Sequence, residues 1–156
     1  MKRNKIILWV VLLGTFVACN QNEVYFKYLP VPKNGWDKDS VLTFDYTVQD
    51  TLSRYDVFIH VRHYGDYPYQ NFWLFLENMD ADSVIVNDTI ECYLADEYGK
   101  WLGTGNAVKE MPIFYKQQIL LPDSGTYQMK IRHGMRDSVL TGIKEIGVRV
   151  EAVREF

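Results

Sequence analysis

The feature that most constrains this chain is an alternation of apolar and polar residues with a period of two. Leu42, Phe44, Tyr46 and Val48 alternate with Thr43, Asp45, Thr47 and Gln49. Val57, Ile59 and Val61 alternate with Phe58, His60 and Arg62, and Tyr127, Met129 and Ile131 with Gln128, Lys130 and Arg132. Ile146, Val148, Val150 and Ala152 repeat the pattern against Gly147, Arg149 and Glu151. Successive side chains of a strand point to opposite faces, so each run buries one face and wets the other. Asn71 to Leu76 is nearly all apolar, which predicts a strand buried on both faces. Val84 to Leu94 is interrupted at Asn87-Asp88, which predicts a bend or hairpin there. Turn signals separate the runs: Asp37-Lys38-Asp39-Ser40, Gly65-Asp66, Tyr98-Gly99 and Pro122-Asp123-Ser124-Gly125. No long amphipathic helical pattern occurs, and Ser138 to Glu145 has room for little more than one helical turn. The expectation is an all-β, antiparallel two-sheet β-sandwich, with jelly-roll and immunoglobulin-like connectivities both open.

Composition narrows the class further. The 156 residues, 47% of them hydrophobic, suffice for one domain with a real core. A net charge of −3 argues against non-specific nucleic-acid binding, which needs a basic surface. The 2 cysteines exclude a disulfide-rich scaffold and a four-cysteine zinc site.

The first residues read as an export signal. Lys2, Arg3 and Lys5 precede an apolar run from Ile6 to Val17, shorter than the ~20 residues of a spanning helix. The run ends in Phe16-Val17-Ala18-Cys19, which resembles a bacterial lipobox, with the small Ala18 before the cut and Cys19 as the lipid-bearing residue. The expected organisation is a lipoprotein signal peptide over residues 1–18, a lipidated tether over 19–33 and a single sandwich domain over 34–156. Pro30 and Pro32 argue against regular structure in the tether. Cleavage removes three cations and leaves 14 basic against 20 acidic residues, a net charge of −6. Such a chain gains no attraction from an anionic leaflet, so the covalent lipid on Cys19 must hold it to the membrane.

Catalytic and ligand patterns are sparse. His60 and His63 point to opposite faces of a regular strand, and with His133 they read as surface or edge residues rather than metal ligands. There is no G-x-S-x-G elbow, H-E-x-x-H pair, P-loop or G-x-G-x-x-G. Gly99 to Gly105 leads towards Lys109 and Pro112 rather than into a helix, so it reads as an inter-strand loop with Trp101 packed inward. Cys92 alternates with Ile90 and Leu94 and is expected in the core. The unusual segment is Arg62 to Trp73, where basic, aromatic and amide groups crowd a loop between strands. The candidate partner-binding residues are Arg62, Tyr64, Tyr67, Tyr69, Asn71 and, from a second cluster, Arg136. Two uses are open: contact with a partner protein, or glycan binding through Tyr67, Tyr69 and Trp73. No catalytic residue, metal or diffusible cofactor is expected.

An ordered set of residues resembles the GldH gliding-motility lipoprotein family of Bacteroidota. It comprises Cys19; Trp36; Val57 to Arg62 followed by Tyr67-Pro68-Tyr69-Gln70-Asn71; Asp88-Thr89; Gly99-Lys100-Trp101-Leu102-Gly103; Gly125-Thr126-Tyr127; and Met135-Arg136 through Leu140-Thr141-Gly142-Ile143 to Gly147. The resemblance implies a non-enzymatic lipoprotein of the gliding machinery, with protein partners in the envelope apparatus that works with type IX secretion. It carries over one defined site, Cys19. Asn20 in place of an inner-membrane-retaining Asp, and the lack of an acidic cluster after Cys19, imply an outer-membrane anchor facing the periplasm.

Overall fold

The computed structural model describes residues 22–80 and 83–153. The expected signal peptide, the lipobox-like segment and Cys19 lie outside them. The described chain forms ten strands: β1 (Glu23–Pro30), β2 (Trp36–Asp37), β3 (Leu42–Val48), β4 (Arg54–Tyr64), β5 (Asn71–Met79), β6 (Ile85–Tyr93), β7 (Val108–Leu120), β8 (Gly125–His133), β9 (Val139–Leu140) and β10 (Ile143–Val153). One sheet has the order β1-β10-β4-β7, the other β3-β8-β5-β6, and β2 pairs with β9 in a small third ladder. All pairings are antiparallel. The pairs nest: β1 with β10, β3 with β8, β4 with β7, β5 with β6. A long hairpin folded over on itself in this way is a jelly roll, which resolves the choice of connectivity.

Alternation accounts for the core. Phe44, Tyr46 and Val48 of β3 are buried while Thr43, Asp45 and Thr47 face solvent. Tyr127, Met129 and Ile131 of β8 and Ile146, Val148 and Val150 of β10 meet them from neighbouring strands and the facing sheet. Cys92 is buried among them, and burial pushes its thiol up to about 12, so it stays protonated.

Several expectations are corrected. Most of the expected tether, residues 23–30, is strand β1, paired with β10 from Glu23↔Glu151 to Pro30↔Glu145. Tyr25 and Leu29 pack on the core, and Val31 is buried with its N–H donated to the Lys144 carbonyl at 2.9 Å. The prolines are tolerated because β1 is an edge strand and Pro30 only closes it. β5 is not buried on both faces: Phe72, Leu74 and Leu76 point inward while Trp73 and Phe75 are exposed. β6 runs unbroken through Asn87-Asp88, which stay in register opposite Glu77 and Leu76. Residues 138–145 form β9 and the start of β10, not a helical turn. The long edge strand β7 is an addition to the expected set.

The three histidines are buried rather than superficial. His60 lies on the outer side of its sheet but is roofed by Phe26 and Tyr28 of β1, with ring centroids 4.9 and 5.9 Å away. Gly147 makes the roof possible, because a Cβ there would stand 2.7 Å from the Tyr28 ring. His63 and His133 sit against Trp101 and Trp36, at 4.5 and 5.6 Å.

Burial sets a pH dependence. Desolvation lowers the pKa of His60, His63 and His133 below the ordinary 6.5. One ring nitrogen of each is buried without a partner, so an added proton would have no acceptor there. The unfolded chain takes up protons near 6.5 while the native state resists them, so stability is full above that pH and is lost as pH falls towards the lowered values. Each histidine contributes a slope of about 1.4 kcal/mol per pH unit within its window. The urea midpoint is expected to fall clearly between about pH 7.5 and 5.5; an unchanged midpoint refutes this.

Candidate functional site

The structure separates the six candidate residues into four places. Arg62, on the outer side of β4, is committed to the fold: its Nε donates to Glu110 Oε2 at 2.9 Å and its Nη1 to Glu145 Oε2 at 3.0 Å. Its guanidinium also lies 3.7 Å from the centre of the Tyr28 ring. Tyr28 donates to Glu110 Oε1 at 2.6 Å, and His60 Nδ1 stands 3.2 Å from the same oxygen. Burial alone would raise the Glu110 pKa, but bonds from Tyr28, Arg62 and His60 together hold it below its usual value. The group superficially resembles an acid–base relay. Its free nitrogen, His60 Nε2, is sealed from solvent, so what the cluster does in this conformation is bind β1, β4 and β7 together.

Tyr67 belongs to the core at 3% exposure. It closes one end of the sandwich, with its ring beside Phe72, His63 and Trp101 and its hydroxyl donating to the Asn71 carbonyl at 2.9 Å. Gly142, at φ +86°, lets the β9–β10 turn come against it; a Cβ there would stand 2.6 Å from Tyr67 Cα. Tyr64 is exposed at the end of β4; its N–H donates to the Gly142 carbonyl at 2.8 Å, and its own carbonyl accepts from His63 Nδ1 at 2.8 Å and from the Tyr67 N–H at 3.3 Å.

Tyr69, Asn71 and Arg136 do come together. With Trp73, Gly134 and Met135 they line a surface recess of 380 Å³. The chain after β8 is fastened to β5 there: Gly134 N–H donates to the Trp73 carbonyl at 2.7 Å, and Trp73 N–H points at Met135 Sδ at 3.4 Å. Tyr69 donates to Asp137 at 2.6 Å and Asn71 to Glu91 at 2.7 Å. A second recess of 470 Å³ adjoins it on the same outer sheet face, lined by Phe75, Glu77, Asp88, Lys130 and Arg132 among others.

Sequence reasoning missed Phe75, Tyr93 and Arg132. Exposed rings at Tyr69 (36%), Trp73 (37%), Phe75 (41%) and Tyr93 (60%) share this face. The signal was present: outward positions of β5 recur every second residue, giving Asn71, Trp73, Phe75 and Glu77. The apolar inward neighbours concealed it.

Among the described residues no group of three or more His, Cys, Asp and Glu side chains is placed to hold a metal ion. No helix among them is long and apolar enough to cross a membrane.

The fold and this outer face define a jelly-roll domain with a ring-lined surface on one sheet. The model of the GldH lipoprotein family matches residues 23–150, and the chain belongs to that family. The gliding motility lipoprotein GldH homolog of Christiangramia forsetii is 31% identical over 94% of this chain and 94% of its own length. The gliding motility lipoprotein GldH of Flavobacterium johnsoniae is 30% identical over 97% of each. Likeness to solved structures such as the infectious bursal disease virus VP2 subviral particle (TM-score 0.37, 12% identity, 85% of this chain and 31% of that one) is slight. The same holds for a non-crystalline-cellulose-specific carbohydrate-binding module, CBM28 (TM-score 0.40, 11% identity, 83% and 72%), and neither bears on function.

Proposed function

We propose that this chain is a lipid-anchored component of the cell envelope that serves gliding motility together with type IX secretion, without catalysing a reaction itself. The observation that carries the reading is the family match over residues 23–150, with relatives named for gliding motility that align along nearly their whole length. Cys19 is its lipidation site, modified by a diacylglycerol and a fatty acid such as palmitate. The anchor sits in the outer membrane and the domain faces the periplasm. The ring-lined face of β8-β5-β6 is its contact surface, since the opposite sheet's outer face spends Arg62, Glu110, Glu145 and Tyr28 on internal pairing.

The test is co-purification. Tagged full-length protein is crosslinked lightly in intact cells and extracted in mild detergent. Motility or secretion components are expected with the wild type and reduced at least fivefold for Tyr69→Ala with Arg136→Ala. Equal recovery from both would overturn the assignment of the surface. Recovery of none from the wild type would overturn the assembly role.

A second reading, glycan binding, is favoured by one observation: four exposed aromatic rings share this sheet face with polar side chains between them.

A further inference from the structure

Arg132 and Arg136 differ from every other described arginine. Arg54 donates to the Gln118 carbonyl, Arg62 to Glu110 and Glu145, and Arg149 pairs with Glu151. Neither Arg132 nor Arg136 makes a hydrogen bond or ion pair among the described residues; Arg132 only lies over the Phe75 ring at 5.8 Å. Nearby carboxylates already have partners. Glu77 takes Lys130 at 2.8 Å, Asp88 takes Lys116 at 3.0 Å, Glu91 takes Asn71, and Asp137 takes Tyr69. In an acidic protein, two guanidinium forks thus stand free on one face, one beside each recess.

Between them run the rings. Trp73 lines the first recess and Phe75 the second, two residues apart on one strand, or about 7 Å. Together the two recesses follow β5 from Asn71 to Glu77, about 20 Å, which spans several sugar rings. They lie on the face of a sheet and not along its edge, so they offer a ligand no backbone ladder. A peptide adding as a strand would need that ladder. A sugar chain does not: its C–H faces pack on exposed rings, its hydroxyls bond to side chains, and a carboxylate on the sugar matches an arginine fork bidentately.

We infer that the outer face of the β3-β8-β5-β6 sheet binds an acidic glycan strand, with sugar carboxylates held by Arg132 and Arg136 and sugar rings stacked on Trp73 and Phe75. This deepens the second reading above, glycan binding, by naming the class of glycan, and it rests on that surface being the right one.

The test uses the full chain in detergent, titrated by calorimetry with oligogalacturonate as the acidic probe. Dextran oligomers serve as the neutral probe and poly-glutamate as the acidic peptide. Oligogalacturonate is expected to bind, at least tenfold tighter than dextran, and more weakly as salt rises. Arg132→Gln and Arg136→Gln are each expected to weaken it about tenfold, in keeping with loss of a charged hydrogen bond. Both side chains lie outside the core, so these variants should keep the wild-type melting temperature. No oligogalacturonate binding at millimolar concentration, equal binding of dextran, or binding unmoved by both arginine changes would overturn the inference. Preferential binding of poly-glutamate would overturn it in favour of an acidic protein segment. If the glycan fails while the Tyr69→Ala and Arg136→Ala variant still loses its co-purifying proteins, the contact surface stands and only the ligand class falls.

Discussion

Replacing Cys19 with Ala is expected to move the protein out of the washed membrane fraction and abolish its function. The argument is quantitative. Each buried methylene contributes roughly 0.8 kcal/mol, and one acyl chain gives only marginal, reversible binding, so stable anchoring depends on two or more. With residues 1–18 removed, as proposed, the chain would carry a net charge of −6, which an anionic leaflet does not attract. The apolar run before Cys19 falls short of a spanning helix, so unprocessed precursor gains no firm hold by itself. Metabolic labelling with palmitate should mark the wild type and leave Cys19→Ala blank. Fractionation after an alkaline wash should show a loss of at least about tenfold from membranes. A variant that stays firmly anchored, or one that still takes label, refutes lipidation at Cys19.

Tyr67→Ala is expected to remove a large share of the domain's stability rather than to weaken one contact. The residue is 3% exposed and its ring is shared among Phe72, His63, Trp101 and Tyr69. Truncating a buried aromatic side chain costs about 3–5 kcal/mol, against a total stability of about 5–15 kcal/mol for a domain. Tyr67→Phe keeps the ring and removes only the bond to the Asn71 carbonyl, at a cost of about 1 kcal/mol. Urea denaturation of the two variants separates a packing role from a polar one. Equal, small losses would show that the ring is not the closure of the sandwich that its contacts describe. By contrast Tyr69→Ala, on the exposed side, should cost little stability while altering the contact surface.

The sequence pattern spoke most clearly where one sheet face is wet. β3, β8 and β10 alternate cleanly, and their inward residues are those buried in the structure. It misled where local chemistry and tertiary context disagree. Two prolines made residues 19–33 look like slack chain, yet β10 supplies β1 with a ladder and an edge position that accommodates Pro30. Trp73 and Phe75 looked like core because exposed rings and buried ones read alike in a string of letters. The histidines looked superficial because nothing in the sequence shows that Phe26 and Tyr28 lie across His60.

The candidate site shows the same limit. Arg62, Tyr64 and Tyr67 are near neighbours in sequence of Tyr69 and Asn71, but the turn after β4 carries them to another sheet face, an end and the interior. Arg136 is remote in sequence and arrives beside Trp73 only because β8 pairs with β5. Adjacency along the chain identified half of the lining, and strand pairing determined the rest.

Strand β1 has one further consequence. It starts at Glu23, four residues beyond Cys19, so a lipid on Cys19 would be at most about 14 Å of chain from the first ladder pair. A pull transmitted from the membrane through Cys19 would act along β1, while the bonds joining β1 to β10 run crosswise to the strand. They would be strained together, in shear, instead of parting one by one as in a strand peeled from its end. A protein pinned to a leaflet in a moving cell would therefore behave less like a buoy on a rope than like a bolted bracket, passing load straight into the central strands β10 and β4.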